Sequence, residues 1–228
     1  MLPQAAMPVH YPRSRVAGRL SRWLRPVQAW ALRRSAAYVY QLDDLAAHGE
    51  GHDEPLGGEY SFRMACLDDL EACSAMAGVP LDEYLRRWNC GGRCYAVFYR
   101  ERPVHLGWFR FGSLYVRGLG LLIEADLSTC YLHSVETDPE HRRRGLYKNT
   151  LRKVAVMLAA RRIQRVTQVV MVSNRIPQIA LPQLGYRLVQ SVRHTSLLGI
   201  KATTVCDPEG KTLSRRLFCR SPKSVFVI

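Results

Sequence analysis

Residues 135–147 read Val135-Glu136-Thr137-Asp138-Pro139-Glu140-His141-Arg142-Arg143-Arg144-Gly145-Leu146-Tyr147, and they carry the chain from a strand pattern into a helical one. Upstream, Cys130 to Thr137 alternates as a strand does. Downstream, Leu151, Val154, Ala155 and Leu158 recur at helical spacing within Leu146 to Arg162. A strand that turns through a glycine into a helix leaves backbone N–H groups unpaired at the positive helix end. Such a turn binds anions, and three arginines beside it add side-chain charge, so a pyrophosphate would find both donors and compensation there.

Working outward, the pattern stays regular. Val166 to Val172 reads as a buried strand, Ile176 to Gln183 as a short helix, and Tyr186 to Val192 and Ser196 to Ala202 as further strands. Before the turn, Glu59 to Ala65 reads as a strand. Leu67 to Ala77 reads as a helix opened by Asp68 and Asp69 and closed by Gly78, and Leu81 to Trp88 as a second helix. Tyr95 to Tyr99 and Val104 to Phe111 flank an Arg-Glu-Arg-Pro turn as a hairpin, and Tyr115 to Ile123 reads as one more strand. The expected class is a mixed α/β sheet.

The chain has 228 residues, 47% hydrophobic and 23% charged, which suits one well-buried core with an appended segment. The apolar fraction excludes a disordered chain, and no uncharged run is long enough for a spanning helix. Lys and Arg number 33 against 19 Asp and Glu, a net charge of +14 that calls for an acidic partner: cofactor phosphates, an acidic carrier protein, an anionic membrane or nucleic acid. Only five of the cations are Lys, and a GC-rich genome produces the same Arg excess. Nucleic acid ranks last, since the arginines are not interleaved with a stacking platform. Seven scattered cysteines favour a reducing, cytoplasmic compartment. The one close pair, Cys90 and Cys94, has no second pair at zinc spacing, and His48, Glu50, His52, Asp53 and Glu54 read as a solvated loop, so no metal is expected.

Residues 1–42 contain seven Arg and no acidic residue. Val16, Leu20, Trp23, Leu24, Val27, Trp30 and Ala31 form a helical stripe interrupted at Pro26. This basic helix could pack on the domain or on a second subunit in a homodimer, meet an acidic acyl-carrier protein or an anionic membrane through residues 13–34, or serve as an organelle presequence. The expected division is a basic extension and acidic linker over 1–58, a main domain over 59–202, and a C-terminal extension over 203–228 with a terminal strand, Ser-Val-Phe-Val-Ile.

Pro139, Arg142 and Gly145 match the acyl-CoA signature Pro-x-x-Arg/Gln-x-x-Gly-x-Gly/Ala, with Tyr147 where a small residue is usual, and the chain resembles the GNAT superfamily of N-acyltransferases. Phe62-Arg63-Met64-Ala65 with Asp68, Asp69 and Leu70 resembles that family's first strand and helix start. Asn174 with Gly185-Tyr186 resembles its second signature, so the likeness covers about residues 59 to 202. It implies a mixed, mostly antiparallel central sheet flanked by helices, here with a basic N-terminal helical extension. It also implies acetyl-CoA or another acyl-CoA as donor, bound by Val135, Glu136, Thr137, Arg142, Arg143, Arg144, Gly145, Leu146, Tyr147 and Asn174. The implied reaction is acyl transfer to a small-molecule or peptide amine by direct attack on the thioester.

That attack needs a base, because an alkylammonium with a pKa of about 10.4 is protonated at neutral pH. On the strand before the turn His133 is the first choice, since imidazole near 6.5 needs little tuning. Tyr131 shares its face, and Glu136 reaches the cleft if a bulge turns it there. The tyrosine that many members place seven residues after the Asn to protonate the leaving thiolate is Leu181 here. Two alternatives follow. One is a long-chain acyltransferase whose channel runs along Leu114 to Ile123 beside Trp108 and Phe109. The other is an acyl-CoA-binding protein without chemistry.

Overall fold

The computed structural model describes residues 33–45, 47, 57–116, 119, 121–124, 126–197, 200–219 and 224–227. The expected helix over 16–31 and the loop 48–54 lie outside the described residues.

The first described element is a strand. β1 (Arg33–Leu42) alternates Ala37 and Val39 on one face with Tyr38, Tyr40 and Leu42 on the other, and both faces are buried in core clusters. Two buried faces make a central strand rather than an edge. β1 lies antiparallel between β8 (Arg165–Met171) and β9 (Arg187–Leu197). Residues 33–42, assigned from sequence to the N-terminal extension, therefore sit in the middle of the sheet. Asp43, immediately after, pairs with Arg165 at 3.0 Å and with Arg187, tying β1 to both neighbours. Burial alone would raise the Asp43 carboxyl, but hydrogen bonds from Arg187 and Arg165 hold it below its ordinary value.

The remaining order is β2 (Tyr60–Met64), α1 (Leu70–Ala77), α2 (Leu81–Asn89), β3 (Arg93–Tyr99), β4 (Arg102–Phe111), β5 (Leu114–Val116), β6 (Leu121–Glu124), β7 (Thr129–Thr137), α3 (Leu146–Ala159), β8, α4 (Arg175–Ala180), β9, β10 (Ile200–Cys206), β11 (Thr212–Cys219) and β12 (Ser224–Val227). Nine strands form one sheet in the order β11-β10-β9-β1-β8-β7-β4-β3-β2, antiparallel throughout except for β7 and β8. The crossover between those two strands is α3, as a parallel pair requires. This is the mixed, mostly antiparallel sheet flanked by helices that the sequence predicts.

α3 packs on one face through Leu151, Val154, Ala155 and Leu158, joined by Leu181 and Leu184 after α4. α1 and α2 cover the other face through Leu70, Cys73 and Tyr84 against Leu106 and Trp108. The predicted single strand Tyr115 to Ile123 is two short strands, β5 and β6, which pair with each other and, through β6, with β12 in a separate three-stranded sheet. Leu119 and Ile123 are fully buried in the packing of this small sheet against the large one. β10 and β11 form a hairpin that continues the large sheet past residue 202.

Candidate functional site

The parallel pair β7 and β8 is joined only from Thr129 opposite Arg165 to Leu132 opposite Gln168. Beyond that point β7 follows β4 and β8 follows β1, so the two strands part as a wedge. A bulge sharpens the departure. Trp108 of β4 faces His133 and Leu106 faces Glu136, so Ser134 and Val135 together oppose Gly107, with Ser134 at φ +51°. Glu136 consequently returns to the face of His133, the face covered by α1 and α2. Gly107 has no room for a side chain, because a Cβ there would lie 2.2 Å from the buried Tyr95 hydroxyl.

The turn after β7 is built from short-range bonds. Asp138 accepts from the Glu140 amide at 2.9 Å and gives its own amide to the Val104 carbonyl, while Arg142 Nε donates to the Thr137 carbonyl at 3.2 Å. Arg143 and Gly145 adopt φ +62° and +76°, a geometry natural to glycine and costly at Arg143. Among the described residues, the backbone amides from Arg143 to Lys148 have no acceptor, and the first helical bond of α3 runs from the Asn149 amide to the Gly145 carbonyl. These free amides surround the start of α3, where the helix dipole favours an anion.

His105 fixes this turn to the sheet. Thr150 donates its hydroxyl to the Leu146 carbonyl at 2.6 Å, so it accepts from His105 Nε2 at 2.9 Å, and Thr137 donates to Nδ1 at 2.8 Å. The imidazole is fully buried, and desolvation pushes it down from 6.5 to about 4. A histidine held neutral in the folded state takes up its proton only on unfolding, so stability is lost as pH falls from about 6.5 to about 4, by about 3 kcal/mol from this residue. Urea midpoints at pH 7 and pH 4.5 should differ in that direction, and H105N should reduce the difference.

A cavity of about 810 Å³ occupies the wedge on the α3 side. Val135, Glu136, Thr137, Arg142, Arg143, Gly145, Leu146, Tyr147 and Asn174 all line it, as does His133. Arg144 does not. Its guanidinium turns away to the Tyr60 hydroxyl at 3.1 Å and the Glu140 carbonyl at 3.3 Å, because the reversals at Arg143 and Gly145 send successive side chains apart. Tyr131 also lies away from the cavity. It is fully buried against Ile123, burial raises its phenol well above 10, and it touches neither cavity of the wedge.

A second cavity of about 420 Å³ opens on the opposite face, between α2 and β5, with Glu83, Arg86, Arg87, Arg110 and Tyr115 in its wall. His133, Ser134 and Val169 line both cavities, so the wedge joins the two faces of the sheet. His133 Nδ1 lies 3.1 Å from Ser134 Oγ. Desolvation, then the nearby Arg87 and Arg110, push this imidazole down to about 4, so it is neutral at physiological pH but less basic than a free imidazole. The expectation that it needs little tuning is corrected by that burial and charge. Glu136 is exposed at the rim.

Several residues in or beside the walls carry no sequence signal. Gln168 accepts from the Tyr147 hydroxyl at 3.3 Å, and Gln178 Nε2 donates to the carbonyls of Met171, Val172 and Asn174, closing the end of β8. Arg87 and Arg110 come from a helix and a strand that only the fold brings together. Leu181 is fully buried in the α3-side core, whereas Tyr147 is among the residues lining the cavity and donates its phenol to Gln168, kept protonated because burial raises its pKa. Among the described residues no three His, Cys, Asp or Glu side chains are grouped to hold a metal ion, and no helix is long and apolar enough to cross a membrane.

A sequence model of the Acetyltransferase (GNAT) family matches residues 64–186. Comparison with curated protein sequences finds no match. Among solved structures, a Drosophila protein superposes with a TM-score of 0.53 at 14% identity, covering 79% of this chain and 57% of its own. A GCN5-related N-acetyltransferase-like protein from Streptococcus suis gives 0.51 at 13%, covering 77% and 66%. A conserved protein of unknown function from Staphylococcus epidermidis gives 0.51 at 10%, covering 83% and 69%. This chain thus spans little more than half of the Drosophila protein and about two thirds of the other two. At these identities the likeness is one of fold.

Proposed function

The chain belongs to the GNAT acetyltransferase family, and on that premise we propose that it moves an acyl group, acetyl in the simplest case, from acyl-CoA to an amine by direct attack on the thioester. The observation that carries this is the pair of cavities on opposite faces of the sheet that meet at His133, Ser134 and Val169. A donor entering from the α3 side and an acceptor entering from the α2 side would come together there without a covalent enzyme intermediate.

The free amides from Arg143 to Lys148, with the side chains of Arg142 and Arg143, would take the pyrophosphate. The backbone of Val135 to Thr137, released from β8 by the wedge, would pair with the pantetheine arm as an added strand and offer an N–H to the tetrahedral oxyanion. The amine lone pair then forms the C–N bond while the C–S bond breaks. His133 accepts the amine proton directly or through water, with Glu136 on the same face to carry it to solvent. Tyr147 is the phenol available to return a proton to the thiolate, in place of the residue absent at Leu181.

The positive field of Arg87 and Arg110 that depresses His133 also lowers the pKa of an entering amine, which reduces the demand on the base. Of the stretch Leu114 to Ile123, Leu119 and Ile123 are packed in core, and among its described residues only Tyr115 and Val116 line a cavity, the one on the α2 side and not the donor's, which favours a short acyl group over a long chain. The exposed thiols of Cys66 and Cys90, both unpaired, suit a reducing cytoplasm.

Acetyl-CoA at a hundredfold excess over its Kd should stabilise the protein by about 2.7 kcal/mol, or roughly 5 to 10 °C in Tm. Free CoA should then be released when amines are added. No shift with any acyl-CoA would overturn the assignment.

A further inference from the structure

The charge of the described residues that line the α2-side cavity is unbalanced. Glu83 is shared between Arg86 at 3.0 Å and Arg87 at 3.1 Å, and Arg87 also lies over the rings of Tyr84 and Trp108. Those two guanidinium groups are held in place by α2 itself. Arg110 differs. It projects from β4 into the same cavity, is half-buried, and among the described residues its side chain makes neither a hydrogen bond nor an ion pair. Among the described residues that line the cavity, three guanidinium groups thus stand with one carboxylate, and the imidazole beside them, His133, adds no negative charge.

A half-buried Arg without a partner has lost hydration that nothing in the protein replaces, and a carboxylate or phosphate restores it through the planar fork of donors. An acceptor bearing only an ammonium group would instead meet a like charge. The cavity, at about 420 Å³, has room for a molecule of the size of an amino acid or a small phosphorylated amine.

We propose that the acceptor is a small amine that also carries an anionic group, a carboxylate or a phosphate, and that Arg110 binds that group while the amine faces His133 at the junction of the two cavities. This rests on the acyltransferase assignment above. It makes Arg110 a specificity-determining residue, with Arg86 and Arg87 extending the positive wall toward the exposed Tyr115 at the mouth.

The experiment measures acetyl-CoA binding by calorimetry and then kcat/KM for matched pairs of amines. One arm sets amino acids against their amides, the other aminoalkyl phosphates against the corresponding alcohols. In the wild-type protein the anionic member of at least one pair should be favoured by about 10- to 100-fold, and the arm that shows it tells carboxylate from phosphate. In R110Q that ratio should collapse toward one, chiefly through KM, and R110K should restore part of it. Where R110Q does not fold, the wild-type ratios decide alone. Binding of acetyl-CoA together with equal or better use of the neutral partners, or with no acylation of any anionic amine, overturns this inference and leaves the acyltransferase assignment standing. Absence of acetyl-CoA binding overturns both.

Discussion

The H133A variant is expected to lose about 10²- to 10⁴-fold in kcat, the range by which a positioned general base contributes to proton transfer. The reason is place rather than basicity. His133 lines both cavities, and the bulge at Ser134 and Val135 leaves it at the point where β7 and β8 separate. Because burial and the neighbouring arginines hold it neutral down to about pH 4, its own titration should not limit the reaction between pH 6 and 8. The rate of the wild-type protein should instead rise with pH through the titration of the bound amine. E136Q separates the two candidates: a far smaller loss than in H133A is expected, since its exposed carboxylate would relay a proton rather than accept it first. Steady-state kinetics with a saturating donor decides. Equal losses in the two variants, or an H133A protein with wild-type kcat, would remove His133 as the base.

G145E should abolish donor binding, with at least a 100-fold rise in the Kd for acetyl-CoA. Gly145 sits at φ +76°, where any side chain costs about 1–2 kcal/mol in backbone strain. A carboxylate at that position would also compete with the pyrophosphate for the amides from Arg143 to Lys148. Space is not the obstacle, since a Cβ there would meet only Asn149 Nδ2, at 3.6 Å. The fold should therefore survive, with a Tm within several degrees of the wild type. Calorimetric titration alongside a thermal melt checks both parts, and a folded G145E protein that binds acetyl-CoA normally would displace the anion site from this turn.

Most of the fold was legible because its signals are local. The alternation of Cys130 to Thr137, the glycine at 145 and the apolar stripe of α3 dictate a strand, a turn and a helix wherever the chain goes. The residues predicted to bind the donor share one cavity for the same reason: all but Asn174 lie on the consecutive stretch 135–147, and of that stretch's candidates only Arg144 turns its side chain away. β1 is masked in the sequence by its flank: the helical stripe before it and the absence of acidic residues until Asp43 give 1–42 the character of one basic segment, although Ala37, Tyr38, Val39 and Tyr40 alternate between two buried faces. The run Tyr115 to Ile123 divides at the turn near Leu119, which Gly118 and Gly120 mark in the sequence; the apolar residues on either side read as one strand only if those two glycines are passed over. The α2-side cavity was not legible. Arg87 and Arg110 are ordinary residues of a helix and a strand until the sheet places them around one imidazole.

The position of β1 also sets a timetable. Asp43 meets Arg165 and Arg187 across 122 and 144 positions of chain, so the strand that buttresses β8 leaves the ribosome long before its neighbours exist. At about 5–20 residues per second, β1 waits roughly 6 to 25 s for β8. Through that interval an aromatic strand with two apolar faces lacks both of the strands that cover it in the finished sheet.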